Sequence, residues 1–340
     1  MEKPVLKNMT IDEMKTFFVE IGEKPFRGQQ VFEWIYKGAA DFSEMSNLPE
    51  ALRLKLSSLT EYENIRIVTV QKSKTDGTRK YLFEMPDGEK IESVFMKYKY
   101  GNSICISSQA GCAMGCRFCA SQIGGLKRNL ESWEMAAQVL AVQEDTGERI
   151  GHIVIMGTGE PFHNYANVAR FLRLVNSPKG LNISMRNITV STCGLVDGIR
   201  RFADDFPQVT LAISLHAPAD ELRSSMMPVN DRYPVKEVIK AAADYTKITG
   251  RRVTFEYALA KGVNDSMEHA DMLSGLLRGI LCHVNLIPLN EVKESGLAGV
   301  GKKHAEDFRA RLEQRGIPAT VRRELGSDID AACGQLRNKK

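Results

Sequence analysis

No apolar run in these 340 residues approaches the roughly 20 that a membrane span needs. The opening stretch MEKPVLKNMTIDEMK lacks the apolar centre of a signal peptide, so a cytoplasmic protein is expected, with no membrane association. Low-complexity segments and tandem repeats are missing as well, which excludes repeat architectures. Charge of one sign is scarce. The net charge is +4, with 16 basic and 16 acidic side chains in residues 1–100 and 30 against 26 in the remainder. Such a balance permits a nucleic-acid partner without arguing for one. Cysteine is sparse and odd in number, seven in all, and several are clustered. A chain of this length does not need disulfide staples, so thiol chemistry or metal binding in a reducing compartment is the better reading. With 43% hydrophobic and 26% charged residues, the chain can bury a sizeable core, and one large domain plus a small one is the natural organisation.

The first 60 residues read as three short helices. Thr10-Ile11-Asp12-Glu13 has the spacing of a capping box, and Gly22 can close that helix. A second helix spans roughly Phe26–Lys37 and a third lies near Pro49–Leu59. Over 61–97 the period changes to alternation, with turns at Asp76-Gly77 and Asp87-Gly88, which predicts a β-meander linker. From residue 98 to 325, short β-branched runs alternate with helix-length segments. They are SICISS, GHIVIMG, RNITVST, VTLAISL, RRVTFEYAL and CHVNLIP, with PATVRR a possible seventh. Repeated βα units imply an α/β fold, a partial (βα)6 barrel with its reactive groups at the C-terminal strand ends. Residues 326–340 form a tail with no clear period.

Three cysteines, Cys112, Cys116 and Cys119, fall within eight residues directly after the first of these strands. Structural zinc wants four protein ligands, and no second Cys-x-x-Cys pair exists. Three thiolates instead suit a [4Fe-4S] cluster with one iron left open to a cofactor. The Cys-x-x-x-Cys-x-x-Cys spacing, with an aromatic residue before the last cysteine, resembles the radical S-adenosylmethionine signature. That resemblance implies that the methionine part of S-adenosylmethionine chelates the open iron and that an electron from the cluster splits the cofactor to give a 5′-deoxyadenosyl radical.

Other features each have a functional and an ordinary reading. Gly157–Pro161 (GTGEP) is either a strand-end turn or a cradle in which Glu160 takes a cationic amine. Ser191–Gly194 and Ser214–Pro218 bring hydroxyls and His216 to strand ends, where His216 can equally be a hydrogen-bonded structural histidine. Cys105 and Cys333 read, on spacing alone, as small buried hydrophobes, and Glu92 as an exposed strand carboxylate. The pairs Arg251-Arg252, Arg322-Arg323 and Lys127-Arg128 fit phosphates or plain surface charge.

Taken in order, GCAMGCRFCA, GGLKRNL, GTGEPF, ISLHAP, MMPVNDRYP, GVND, HVNLIPLN and RRELGSDIDAACGQLR resemble the dual-specificity radical-SAM RNA adenine-C2 methyltransferase family over nearly the whole chain. The resemblance implies two S-adenosylmethionines per turnover. One methylates the thiol of Cys333; the other yields the radical that takes a hydrogen from the Cys333 methyl group. The carbon radical then adds to C2 of adenine, and Cys105 resolves the enzyme–RNA adduct by forming a disulfide with Cys333. Either Glu92 or the Cys105 thiolate takes the C2 proton. Gly159, Glu160, Ser191, Ser214, Leu215, His216 and Asn290 are implied as the cofactor-binding set. The implied substrates are 23S ribosomal RNA near the peptidyl-transferase centre and the adenosine 3′ of the anticodon in transfer RNA. A reductant such as flavodoxin and a monomeric enzyme are expected, with residues 1–60 contacting RNA. A sister group that methylates C8 shares the cysteines, and a zinc-stabilised RNA-binding protein is the alternative from another class. Thr158 stands where the family usually has Met or Ile, and Cys193 lies in a motif usually without cysteine.

Overall fold

The computed structural model describes residues 3–289, 296–329 and 331. Asn290 and Cys333 lie outside these residues.

Helices α1 (Ile11–Glu20), α2 (Pro25–Tyr36) and α3 (Glu50–Leu59) form where the periodicity places them. The capping box at Thr10 is complete. Its side chain accepts the Glu13 N–H at 3.3 Å, and Glu13 accepts the Thr10 N–H at 2.8 Å. The buried stripe of Met14, Phe18, Val31, Phe32, Ile35, Leu52 and Leu56 runs into the main hydrophobic core rather than forming one of its own. Polar contacts fix the docking. Asn8 accepts from the Ser132 hydroxyl (2.7 Å) and the Trp133 N–H (3.0 Å), Arg170 pairs with Glu13 at 2.5 Å, and Lys179 pairs with Glu33 at 3.2 Å.

The meander strands β1 (Arg66–Lys72), β2 (Arg79–Glu84) and β3 (Lys90–Tyr98) pair antiparallel, and β3 pairs antiparallel with β4 (Gly101–Ile106). The meander is therefore not a separate linker but the antiparallel end of one ten-stranded sheet. From β4 the sheet continues in parallel through β7 (His152–Ile155), β8 (Ile188–Thr192), β9 (Thr210–Ser214), β10 (Val253–Leu259), β11 (Cys282–Pro288) and β12 (Ala319–Val321). The run PATVRR does supply a seventh parallel strand. Two-residue strands β5 (Gln109–Ala110) and β6 (Arg128–Asn129) make a separate hairpin base. Among the described residues the sheet's ends are β1 and β12, and no strand pairing closes the barrel.

Helices α4 (Ser132–Thr146), α5 (Tyr165–Asn176), α6 (Val196–Asp205), α7 (Asp220–Met226), α8 (Val235–Thr249), α9 (Met267–Leu277) and α10 (Lys302–Gln314) follow the parallel strands. They cover one face of the sheet, where Ile104, Ile153, Ile188, Val190, Leu211, Ile213, Phe255, Val284 and Leu286 are fully buried. The opposite face follows from the register. Val94 faces Cys105, Cys105 faces Val154, Ser191 faces Ala212, Ser214 faces Glu256 and Glu256 faces Asn285. Because strand side chains alternate, Glu92, Cys105, Ser191, Ser214, Glu256 and Asn285 all stand on this second face. No helix among the described residues is long and apolar enough to cross a membrane.

Candidate active site

The three clustered cysteines sit on the loop between β5 and β6. The hairpin pairs Gln109 with Asn129 and Ala110 with Arg128, and the Lys127 N–H donates to the Ala110 carbonyl at 2.8 Å. Farther out, the Arg117 N–H donates to the Met226 carbonyl at 3.0 Å. Cys112, Cys116 and Cys119 line a cleft of about 930 Å³, counted out to open solvent, with Gly159, Glu160, Ser191, Ser214, His216, Glu256 and Arg322 among its other walls. Among the described residues, no three His, Cys, Asp or Glu side chains converge on one point as a single metal ion requires. Three thiol donors on one loop match the number that a [4Fe-4S] cluster with one open iron takes, whereas structural zinc takes four protein ligands. Burial lifts the Cys112 thiol to about 11 and Cys116 higher still, with neighbouring thiols and Glu160 adding to both. Iron is the positive charge that such a pocket would need before holding thiolates.

The GTGEP turn is tied to the cluster loop. The Thr158 carbonyl accepts the Ser108 and Gln109 N–H groups, and the Glu160 N–H donates to the Gln109 side chain at 2.8 Å. A Cβ at Gly159, whose φ is +112°, would lie 2.7 Å from the Gln109 side chain, so glycine is required there by this approach. The Glu160 carboxylate is buried and held at both oxygens, by the Phe162 N–H (3.0 Å) and the Cys193 N–H (2.7 Å). Burial raises its pKa, and these two donors oppose the rise. The Cys193 and Thr192 side chains also bond to this carboxylate, and Glu160 stands in the wall of the cleft.

His216 is buried at φ +59° and accepts the Ala258 N–H at Nδ1 (2.9 Å). The neutral ring must then carry its proton on Nε2. Burial, with the nearby charge of Arg223, brings His216 down to about 3, so the ring stays neutral. Leu215 does not line the cleft; its side chain is fully buried in the core and its backbone bonds to Glu256 and Arg223. Glu92 is not the exposed strand carboxylate of the plain reading. It is buried and paired with buried Lys80 at 2.9 Å. Cys105 is buried too, in a cluster with Val94, Met96, Leu325 and Ala331, against which Met156 of the cleft also packs. Of the basic pairs, Arg322 reaches the cleft, while Arg128 is held bidentate by Glu134 at 2.7 Å.

Sequence reasoning missed Arg223. Its side chain is fully buried, yet among the described residues no carboxylate pairs with it. Its donors go instead to the carbonyls of Cys193 (2.6 Å), Ser214 (3.3 Å), Leu215 (3.1 Å) and Tyr233 (3.2 Å) and to the Asn230 side chain (3.1 Å). One guanidinium thus ties the loops after β8 and β9 behind the cleft, and its charge favours the Cys116 thiolate. Arg223→Met should cost about 3–5 kcal/mol, the scale for removing one partner from a buried charged network. Urea unfolding would measure it; a midpoint within error of the parent would refute the tie.

Residues 5–61 match the ribosomal RNA large subunit methyltransferase N-terminal domain family, and residues 106–273 the radical SAM superfamily. The chain is 52% identical to a probable dual-specificity RNA methyltransferase RlmN of Lachnospira eligens, over 98% of this chain and 96% of that protein. It is 51% identical to the protein of the same description in Clostridioides difficile, over 99% and 98%. It superposes on a radical SAM methyltransferase from Sphaerobacter thermophilus with a TM-score of 0.95 and 45% identity, over 99% of this chain and all of that one. Its cofactors are accordingly a [4Fe-4S] cluster and S-adenosylmethionine. The thiol loop, the cleft beside it and these full-length likenesses together place the chain in the RlmN family of dual-specificity radical SAM RNA methyltransferases.

Proposed function

We propose that the protein methylates C2 of adenosine in 23S ribosomal RNA near the peptidyl-transferase centre and in transfer RNA 3′ of the anticodon, with Cys333 carrying the methyl group and Cys105 resolving the adduct. The observation that carries this reading is the packing of Leu325, Ile329 and Ala331 around Cys105. It brings the tail to the face of the sheet that also bears Glu92, Ser191 and Ser214.

Cys112, Cys116 and Cys119 would hold the cluster, which supplies one-electron cleavage of the S-adenosylmethionine sulfonium and hence a radical able to take hydrogen from an unactivated methyl group. That chemistry suits C2 of adenine, which is not a nucleophile. Glu160, fixed by two backbone donors, would accept the cofactor's amino group, while Ser191, Ser214 and the His216 Nε2–H offer neutral hydrogen bonds at other points of the cleft. Gly159 lets the backbone approach closely, and Leu215 fixes the loop that carries His216. Asn290 completes the set carried over from the family. Glu92, already charge-matched by Lys80, is a candidate for the C2 proton.

Residues 1–60 are the RNA-contacting module, 61–97 the meander, 98–325 the catalytic barrel and 326–340 the carrier tail. A monomer, a flavodoxin-type reductant and a cytoplasmic location belong to the same reading. Mass spectrometry of adenosines from ribosomal and transfer RNA treated with the reconstituted enzyme tests it. Methyl groups on C2 in both RNAs are expected, about four irons per chain with negligible zinc should accompany them, and methylation at C8 would overturn the assignment.

A further inference from the structure

The chain between β12 and the tail cysteine turns at Gly326, far from the cleft in sequence but beside the turn joining β1 to β2. Two hydrogen bonds run between the segments in opposite senses. The Gly326 N–H donates to the Asp76 carboxylate at 2.9 Å, and the Lys74 N–H donates to the Asp328 carboxylate at 3.0 Å. Asp76 is itself held, because its other oxygen accepts the Thr78 N–H at 2.9 Å. On the tail side, the Gly326 carbonyl accepts from both Ile329 and Ala331 at 3.1 Å, which brings these two residues back to Gly326.

Gly326 has φ +64°, and a Cβ there would lie 2.7 Å from the Ala331 Cβ and 2.9 Å from the Thr78 side chain. Any side chain would both strain the backbone and push the two segments apart. Burial alone would raise the Asp76 carboxyl, but the hydrogen bonds from Thr78, Gly326 and Ser73 outweigh it and bring it down to about 2, so the acceptor stays charged. The turn delivers Leu325, Ile329 and Ala331 onto Val94, Met96 and Cys105. An ordinary surface turn has no need of such a reciprocal grip on a segment some 250 positions away.

We propose that the β1–β2 turn is a latch for the carrier tail: Asp76 and the Lys74 backbone hold Gly326 and Asp328, and so set the position from which the chain presents Cys333 to Cys105. Asp76 and Gly326 are positioning residues, and the meander acquires a role as the dock of the tail. The proposal rests on the reading of Cys333 and Cys105 as partners, and its test separates the two.

The quantity to measure is the effective concentration of one thiol toward the other. The holoenzyme is equilibrated without air in glutathione buffers. Glutathione disulfide accepts the two electrons and leaves as two glutathione thiols, while Cys105 and Cys333 lose their protons and join. Peptide mass spectrometry reads the fraction joined, and thermal unfolding and iron content confirm that each variant is folded and loaded. Asp76→Ala and Gly326→Ala should each lower the effective concentration about tenfold, which matches loss of one hydrogen bond to a charged group. Asp76→Asn, which keeps one carbonyl acceptor and disturbs folding least, should fall between parent and Asp76→Ala. Parent-like values in Asp76→Ala and Asp76→Asn would overturn the latch. A parent enzyme that never joins Cys105 to Cys333 would instead overturn the partnership beneath it.

Discussion

Cys333→Ala should lose all methyl transfer to RNA while still holding its cluster at about four irons per chain and still cleaving S-adenosylmethionine. The three thiols of the 111–127 loop are fixed by the β5–β6 base and by Arg117 on Met226, none of which involves the tail. Radical generation and methyl delivery therefore fail separately. With alanine at 333 there is no nucleophile to receive the first methyl group and no S-methyl carbon from which hydrogen can be taken. Ordinary sulfonium transfer cannot bypass this, since C2 of adenine has no lone pair to offer. Liquid chromatography of 5′-deoxyadenosine against methyladenosine checks both halves at once, and any C2-methyladenosine above background would remove Cys333 from the reaction.

Cys105→Ala should fail one step later, with protein covalently joined to RNA building up toward one RNA per chain. Cys105 is buried among Val94, Met96, Leu325 and Ala331, next to the tail and off the cleft wall. A group there lies beside Leu325 and Ala331 of the tail and away from the cleft wall that bears the three clustered thiols. Alanine removes only a sulfur from an apolar cluster, so the cost in stability should be about 1 kcal/mol and folding should survive. Denaturing gels of enzyme with transfer RNA would show the band. Released methylated RNA at the parent rate, with no joined species, would show that another group resolves the adduct.

The parallel strands were legible because β-branched runs recur between helix-length segments, and the capping box at Thr10 marked its helix to the residue. The spacing of Cys112, Cys116 and Cys119 points to an iron–sulfur cluster by itself. Arg223 was not legible. In DELRSSM it looks like one more charge on a solvated helix, and only the carbonyls of three separate loops, brought together by the sheet, make burial tolerable. Lys80 was hidden for a similar reason. Alternation places it on a strand, but the burial that pairs it with Glu92 comes from cross-strand register. Strands β5 and β6 are two residues each, too short to show a period. The turn at Gly326 has no local signal because its partners are on the far side of the chain.

The 111–127 loop is anchored at two places: strand to strand at its base with Lys127 on Ala110, and Arg117 on the Met226 carbonyl at its outer end. Met226 closes α7, the helix that also carries Arg223, whose guanidinium holds the carbonyls of Cys193 and Ser214. The thiol loop and the back wall of the cleft therefore share one anchor, and a change that shifts α7 should disturb both together.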